Sequence, residues 1–261
     1  MIVAWQDLDE LDETFAAVTS QTAEGFEVIV ADNGAGLSRR LEPWLSKLNM
    51  VHLDLGENRG VSAARNAAVA IARSNVICFL DDDAVPAPDW IESLCAAVAV
   101  RGVVAARGRV VPREATMLNE LARAYDLGDS VRPAILNTEG NCVVDRTAFA
   151  KVGGFNEDMF GHEGAELSTR ILAQFGDGAI VYTPDAVISH DYVSSVAGYL
   201  RKRFRHGSMI KYLDLGQARA AAARSVRRSP WTIRRVMLIP VKVAGVVVEV
   251  VGLLWSRIAH R

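Results

Sequence analysis

Cysteine is scarce in this chain. Cys78, Cys95 and Cys142 are the only three and lie far apart among apolar neighbours. That excludes a disulfide framework and a clustered zinc site, and the thiols read as core residues in a reducing compartment. Eight prolines and twenty glycines in 261 residues leave no room for a collagenous or low-complexity chain, and 50% hydrophobic residues is too apolar for intrinsic disorder. Neither a basic segment nor a long apolar one follows Met1, and Asp7 to Glu13 is acidic. A secretory signal is therefore not expected, and the protein is expected to stay inside the cell. There is no repeat of fixed period, and no glycine-rich, lysine-bearing phosphate loop near the N-terminus. What is present is an ordinary globular composition, enough for one large domain or two small ones.

A net charge of −2 conceals a division. From Val196 onward there are fourteen Lys/Arg against two acids, Asp214 and Glu249, so this part carries +12 and the part before it −14. An acidic body with a basic tail points to an anionic partner surface. The tail ends in an almost wholly apolar run, Val236 to Trp255, broken only by Lys242 and Glu249. A nucleic-acid-binding tail has no need of such a run, so a membrane is the expected partner and nucleic acid is not. If the run is helical, Lys242, Gly245, Glu249, Gly252 and Ser256 form one narrow polar and small-residue stripe suited to packing on a partner, a second copy of the chain included. Sequence leaves open whether the helix would span the membrane or lie on it.

Strand and helix signals alternate through the first hundred residues. Strands are expected at Ile2 to Trp5, Phe26 to Ala31, Val51 to Leu55 and Val76 to Leu80, with helices at Leu8 to Thr19, Val61 to Arg73 and Asp89 to Val100. This order predicts an α/β fold whose mostly parallel central sheet is flanked by helices. Further on, strands are expected at Val103 to Val111, Asn141 to Val144 and Ala179 to Thr183. Helices are expected at Ala115 to Ala124, Thr147 to Val152 and Glu166 to Gln174, with a basic helix from Ser195 to Leu213. The expected division is a catalytic domain over 1–195, a basic helical segment over 196–235 and a membrane-associating helix over 236–261.

In open α/β sheets, ligands bind at the carboxyl ends of strands. Asp32 ends one apolar strand and, taken singly, reads as a turn residue. Asp81-Asp82-Asp83 ends another. Three adjacent carboxylates repel one another, and their concentration at a sheet's mouth is best explained by a hard divalent cation that binds oxygen and bridges substrate phosphates.

Five segments occur in one order: FEVIVADNGA (26–35), NRGVSAARNAAV (58–69), FLDDDAVPAPDWIESL (79–94), EGNCVVDRTAFAKVGGFNED (139–158) and HEGAELSTRI (162–171). Together they resemble the family 2 glycosyltransferases with a GT-A nucleotide-diphospho-sugar transferase fold, over about Ile2 to Leu213. The resemblance implies a nucleotide-diphospho-sugar donor, Mg²⁺ or Mn²⁺ as cofactor, and transfer to a hydroxyl of a membrane-linked or cell-surface glycan or glycolipid, with inversion. It implies that Asp32 reads the nucleotide base, that Asp81 lies near the ribose with Asp82 beside it, and that Asp83 binds the metal. Gly60, Arg65 and Asn66 border the nucleotide, and His190 lies near the metal or diphosphate. The family usually carries a Glu-Asp pair whose Asp is the base. Here the pair is Glu163-Gly164, so Glu163 is the expected base and Glu166, one turn on, the second candidate. With the tail, the expected location is the cytoplasm, against the inner face of the cell membrane. Two other readings stay open: a degenerate binding module, motivated by Gly164 and the short first strand, and a nucleotidyltransferase, which would ordinarily carry the phosphate loop missing here.

Overall fold

The computed structural model describes residues 1–5, 8–114, 116–193, 195–213 and 237–258. Of the expected basic helical segment over 196–235, residues 214–235, with Arg224, Arg227, Arg228, Arg234 and Arg235, lie outside the described residues. The chain builds β1 (Ile2–Ala4), α1 (Leu11–Thr19), β2 (Val28–Asp32), α2 (Ser38–Leu45), β3 (Met50–Asp54), α3 (Val61–Ile71), β4 (Val76–Asp81), β5 (Val85–Pro86) and α4 (Trp90–Val98). There follow β6 (Ala105–Val111), β7 (Arg132–Pro133), β8 (Asn141–Asp145), α5 (Arg146–Lys151), α6 (Glu163–Phe175), β9 (Ile180–Ser189), α7 (Val196–Met209) and α8 (Ile239–Ile258). All the strands belong to one sheet, ordered β3-β2-β1-β4-β8-β6-β9-β5, with β7 added on β9.

The first four neighbours, β3-β2-β1-β4, are parallel, as their continuous apolar runs require of strands covered on both faces. Beyond β4 the sheet becomes mixed: β8 runs antiparallel to both β4 and β6, and β9 is parallel to β6. Alternate residues of β2 serve opposite cores. Val28 and Val30 pack with Leu11, Phe15 and Leu41 from α1 and α2, whereas Ile29 and Ala31 face the layer holding Ala64, Ala68, Leu167 and Ile171 from α3 and α6. α2 is absent from the sequence expectation because it buries only Leu41 and carries Pro43 inside it, a breaker signal. β9 is longer than expected: it continues through Pro184, which falls where the register against β6 shifts between Arg107 and Arg109. A proline is tolerated at such a bulge because no ladder hydrogen bond is lost there. The helix expected over 115–124 is a 3₁₀ helix, Leu118–Tyr125.

α8 lies along α7. Its Gly245 and Gly252 meet Tyr199 and the Phe204 backbone, Gly207 of α7 meets the Glu249 backbone, and Arg203 pairs with Glu249. The small-residue stripe read from the sequence is thus taken up within the chain, so it is not available for pairing two copies. On the other side Val243, Val247, Val250, Val251, Leu254 and Trp255 are exposed, and this helix is long and apolar enough to cross a membrane.

Asn141 ties the sheet to α4. It is fully buried, its Oδ1 accepts from Trp90 Nε1 at 2.7 Å, and its Nδ2 donates to Arg109 O at 2.9 Å. Asn141→Ala would leave the buried Trp90 indole N–H without its partner and remove the bond to Arg109 O, and is expected to cost about 2–4 kcal/mol. Urea unfolding measures it; a change within about 0.5 kcal/mol, the range of an ordinary surface substitution, would contradict this role.

Candidate active site

At the carboxyl end of β4 opens a cavity of about 460 Å³ lined by Arg65, Asp81, Glu139, Glu163, His190 and Lys202 among others. A larger cavity of about 740 Å³ lies at the opposite, amino-terminal ends of β1, β2 and β4, lined by Ile2, Val28, Ile77 and Cys95. Its charged side chains are Glu24, Glu27, Glu92 and Arg73, and no histidine is among its lining residues.

Asp81 terminates β4 and is held by Arg65 Nη2 at 3.1 Å. Arg65 of α3 is buried over the ring of Phe155, from the turn after α5, 5.5 Å from its centroid, so its cation is held in place by aromatic packing. Asp83 Oδ1 lies 3.1 Å from His190 Nε2, at the end of β9. Against burial, which alone would raise it, the His190 hydrogen bond and charge hold the Asp83 carboxyl below its ordinary value. Burial favours a neutral His190, yet Asp83 and Asp81 raise it. Asp82 is pushed up to about 7 by burial and by the charges of Asp81 and Asp83. Ligand atoms of Asp81, Asp83 and His190 all lie within 4.8 Å of one another. Two carboxylate oxygens and one imidazole nitrogen are a donor set that fits a divalent cation, which would take the place of the proton between His190 and Asp83.

Other expected residues stand around this cluster with partners of their own. Asp32 is 1% exposed and its carboxylate accepts from the amides of Ala35, Gly36 and Leu37 at 2.7 to 3.1 Å and lies 3.2 Å from His52 Nε2. Both oxygens are engaged by this loop, and against burial those amides and His52 hold the carboxyl below its ordinary value. Asn66 is not at the cavity: its amide bonds Phe155 N and O, each at 2.9 Å, and so pins the Gly153-Gly154-Phe155 turn to α3. Gly60, with φ of +85°, is the N-cap of α3. Glu166 turns away, both its oxygens held by Arg170 at 2.5 and 2.7 Å.

Glu163 does reach the cavity, its Oε1 accepting from Gly161 N at 2.7 Å. Beside it stands Glu139, which the sequence reading passed over although it precedes Gly140-Asn141 in a quoted segment. Burial and the Glu163 charge push its carboxyl up to about 7, against the pull of Arg65. The one signal that could have found it is Gly164, which lacks the expected carboxylate. α7 forms part of the cavity wall through Lys202, Arg203, Arg205 and His206, so the site extends beyond the boundary expected at residue 195. Lys202 Nζ lies 4.1 Å over the Tyr192 ring. Burial and Arg205 lower its pKa while Asp81, Glu139 and Asp83 act to raise it, which sets a cation opposite the carboxylates. His162, with φ of +65°, occupies the left-handed region at the start of α6 and packs against His206 with the rings tilted by 45° and 4.3 Å between centroids; such strain collects where a site needs a fixed backbone.

The family model described as glycosyl transferase family 2 matches residues 1–156. The chain belongs to that family. Among similar proteins, a pre-mycofactocin glycosyltransferase of Mycobacterium tuberculosis is 26% identical over 201 residues, covering 70% of this chain and 42% of that protein. The chain therefore spans less than half the length of that relative. A glucosyl-dolichyl phosphate glucuronosyltransferase of Haloferax volcanii is 28% identical over 233 residues, 79% of this chain and 73% of that one. Among solved structures, a mannosyltransferase of Pyrobaculum calidifontis in complex with GDP-Man and Mn²⁺ superposes with a TM-score of 0.68 at 19% identity, covering 97% of this chain and 86% of that one. The fold of this family 2 chain is accordingly GT-A.

Gly140 lacks a side chain because Asp81 lies against it: a Cβ there would overlap the Asp81 carboxylate. Gly140→Ala is expected to push Asp81 out of the cluster and to weaken Mn²⁺ binding about tenfold or more. Mn²⁺ titration followed by electron paramagnetic resonance checks this, and equal affinity in the two proteins would show that Asp81 is not a ligand.

Proposed function

We propose that the protein is a metal-dependent glycosyltransferase that passes a sugar from a nucleoside-diphosphate donor to a hydroxyl of a membrane-linked or cell-surface glycan, with inversion. The observation that carries this reading is the Asp81-Asp83-His190 cluster at the mouth of a cavity in a family 2 chain. Asp83 and His190, with Asp81, would hold Mg²⁺ or Mn²⁺. The cation supplies charge neutralisation for the departing diphosphate, so no proton donor is needed on that side. Arg65 keeps Asp81 aimed, and Lys202 sets a second positive charge at the cavity wall. Carboxylates of Glu139 and Glu163 line the same cavity and are the bases available to an acceptor hydroxyl. That the similar structure from Pyrobaculum calidifontis holds GDP-Man and Mn²⁺ supports a nucleotide-sugar donor with a divalent metal.

Membrane attachment is supported by α8, whose exposed valines, Leu254 and Trp255 form one apolar face, and by the +12 charge from Val196 onward. An acceptor carried on lipid agrees with the name of the Haloferax volcanii relative. α8 presents this face while its other side is fastened to α7, part of the cavity wall, which would keep the cavity near the bilayer. The reading sets the protein in the cytoplasm against the inner face of the membrane.

Two measurements test the proposal. By calorimetry, UDP or GDP should bind only with Mg²⁺ or Mn²⁺, and Asp83→Ala should weaken that binding on the order of 100-fold; equal, metal-independent affinity in both proteins would remove the metal site. In flotation with anionic vesicles, exchange of Val247, Val251 and Trp255 for Ser should release the full-length protein, whereas high salt alone should not, because buried apolar surface is insensitive to screening. A wild-type protein that stays soluble without detergent and ignores vesicles would contradict attachment.

A further inference from the structure

We propose that Glu139, and not Glu163, takes the proton from the attacking hydroxyl, its carboxylate occupying space that residue 164 leaves open by having no side chain. This rests on the transferase reading above. Gly164 N donates to Glu139 Oε1 at 2.6 Å, and a Cβ on residue 164 would come within 2.6 Å of that same oxygen and overlap Leu136 O. A side chain at 164 and Glu139 in its present place are therefore mutually exclusive. The strand-free segment before β8 is pressed into this notch along its length: Ser168 Oγ accepts from Leu136 N at 2.8 Å and itself donates to Gly164 O at 2.6 Å. At the other end the turn closes by Asn141 N donating to Thr138 O at 2.9 Å. Glu139 thus caps the first turn of α6 from outside, where backbone amides lack helical partners and a negative charge is favoured.

The competing carboxylates are arranged for other work. Glu166 is closed by Arg170, and Glu163 folds back on the Gly161 amide of its own turn. Glu163 nonetheless faces Glu139, and burial together with the Glu163 charge raises the Glu139 carboxyl. A carboxyl near 7 is well matched to accept a proton at neutral pH. Arg65 from α3 and Lys202 from α7 are the cations facing the pair, and Tyr125 and Cys142 its other titratable neighbours. In the step assigned, the acceptor oxygen forms a bond to the anomeric carbon as its O–H proton passes to Glu139. The bond from that carbon to the diphosphate oxygen breaks, the electron pair leaves with the diphosphate, and Glu139 later returns the proton to solvent.

The test uses the full chain with Mn²⁺, water standing in for the acceptor hydroxyl, and UDP-GlcNAc, UDP-glucuronate and GDP-mannose as donors. The donor that the wild type hydrolyses fastest is then followed in variants. Glu139→Gln keeps an oxygen for the Gly164 amide and removes the basicity. It is expected to lower kcat about 10²–10⁴-fold with nucleoside-diphosphate affinity unchanged within about threefold, whereas Glu163→Gln should lose far less. Added formate should restore turnover to Glu139→Ala, which a purely structural role would not allow. Hydrolysis by Glu139→Gln near the wild-type rate, or a larger loss in Glu163→Gln, overturns the assignment while leaving the transferase reading intact. Loss of turnover together with nucleotide affinity, unrescued by formate, reduces Glu139 to a packing residue. A wild type that hydrolyses no donor overturns the transferase reading and this proposal with it.

Discussion

Repulsion among carboxylates is the constraint around which the cavity is arranged. Asp81, Asp82 and Asp83 follow one another at the end of β4, and Glu139 and Glu163 face the same opening. Several are offset by groups brought from different elements. Arg65 comes from α3, His190 from the end of β9, Lys202 from α7 and the Gly164 amide from the first turn of α6. The offset is incomplete: burial and neighbouring carboxylate charges push Asp82 and Glu139 each up to about 7. A divalent cation would supply the missing positive charge, and the donor atoms of Asp81, Asp83 and His190 are close enough to share one.

Much of the fold could be read from the sequence because burial on both faces leaves a plain mark. FEVIVAD and VICFLD are continuous apolar runs that end in Asp, and they became central parallel strands with those acids at their carboxyl ends. Features set by distant contacts left no such mark. α2 carries a proline and buries one leucine, so nothing in its own residues announced a helix. α6 begins at Glu163, ahead of the expected Glu166, because Gly164, which reads locally as a breaker, is there to admit the segment of Glu139.

The candidate site was legible in the same uneven way. Asp81, Asp83, His190 and Arg65 converge, since each stands at the end of a strand or on the helix beside it. Asp32 was singled out for its place at the end of β2, and that place is real; its hydrogen bonds to a loop three to five residues on were not visible in the sequence. Asn66 likewise serves the turn at Phe155, 89 residues away, a link that no spacing rule exposes. The tail repeats the pattern. Its small-residue stripe was visible as a periodicity, but that the partner is α7, and that α7 walls the cavity, are facts of tertiary packing.

The most direct measurement is the anomalous scattering of Mn²⁺ in crystals soaked with Mn²⁺ and UDP or GDP. The account predicts one strong peak between the Asp83 and His190 side chains, with diphosphate oxygens completing its coordination and the Glu139 carboxylate still seated on the Gly164 amide. A nucleotide bound in the cavity with no anomalous peak at Asp83 and His190, or a peak elsewhere on the chain, would contradict it.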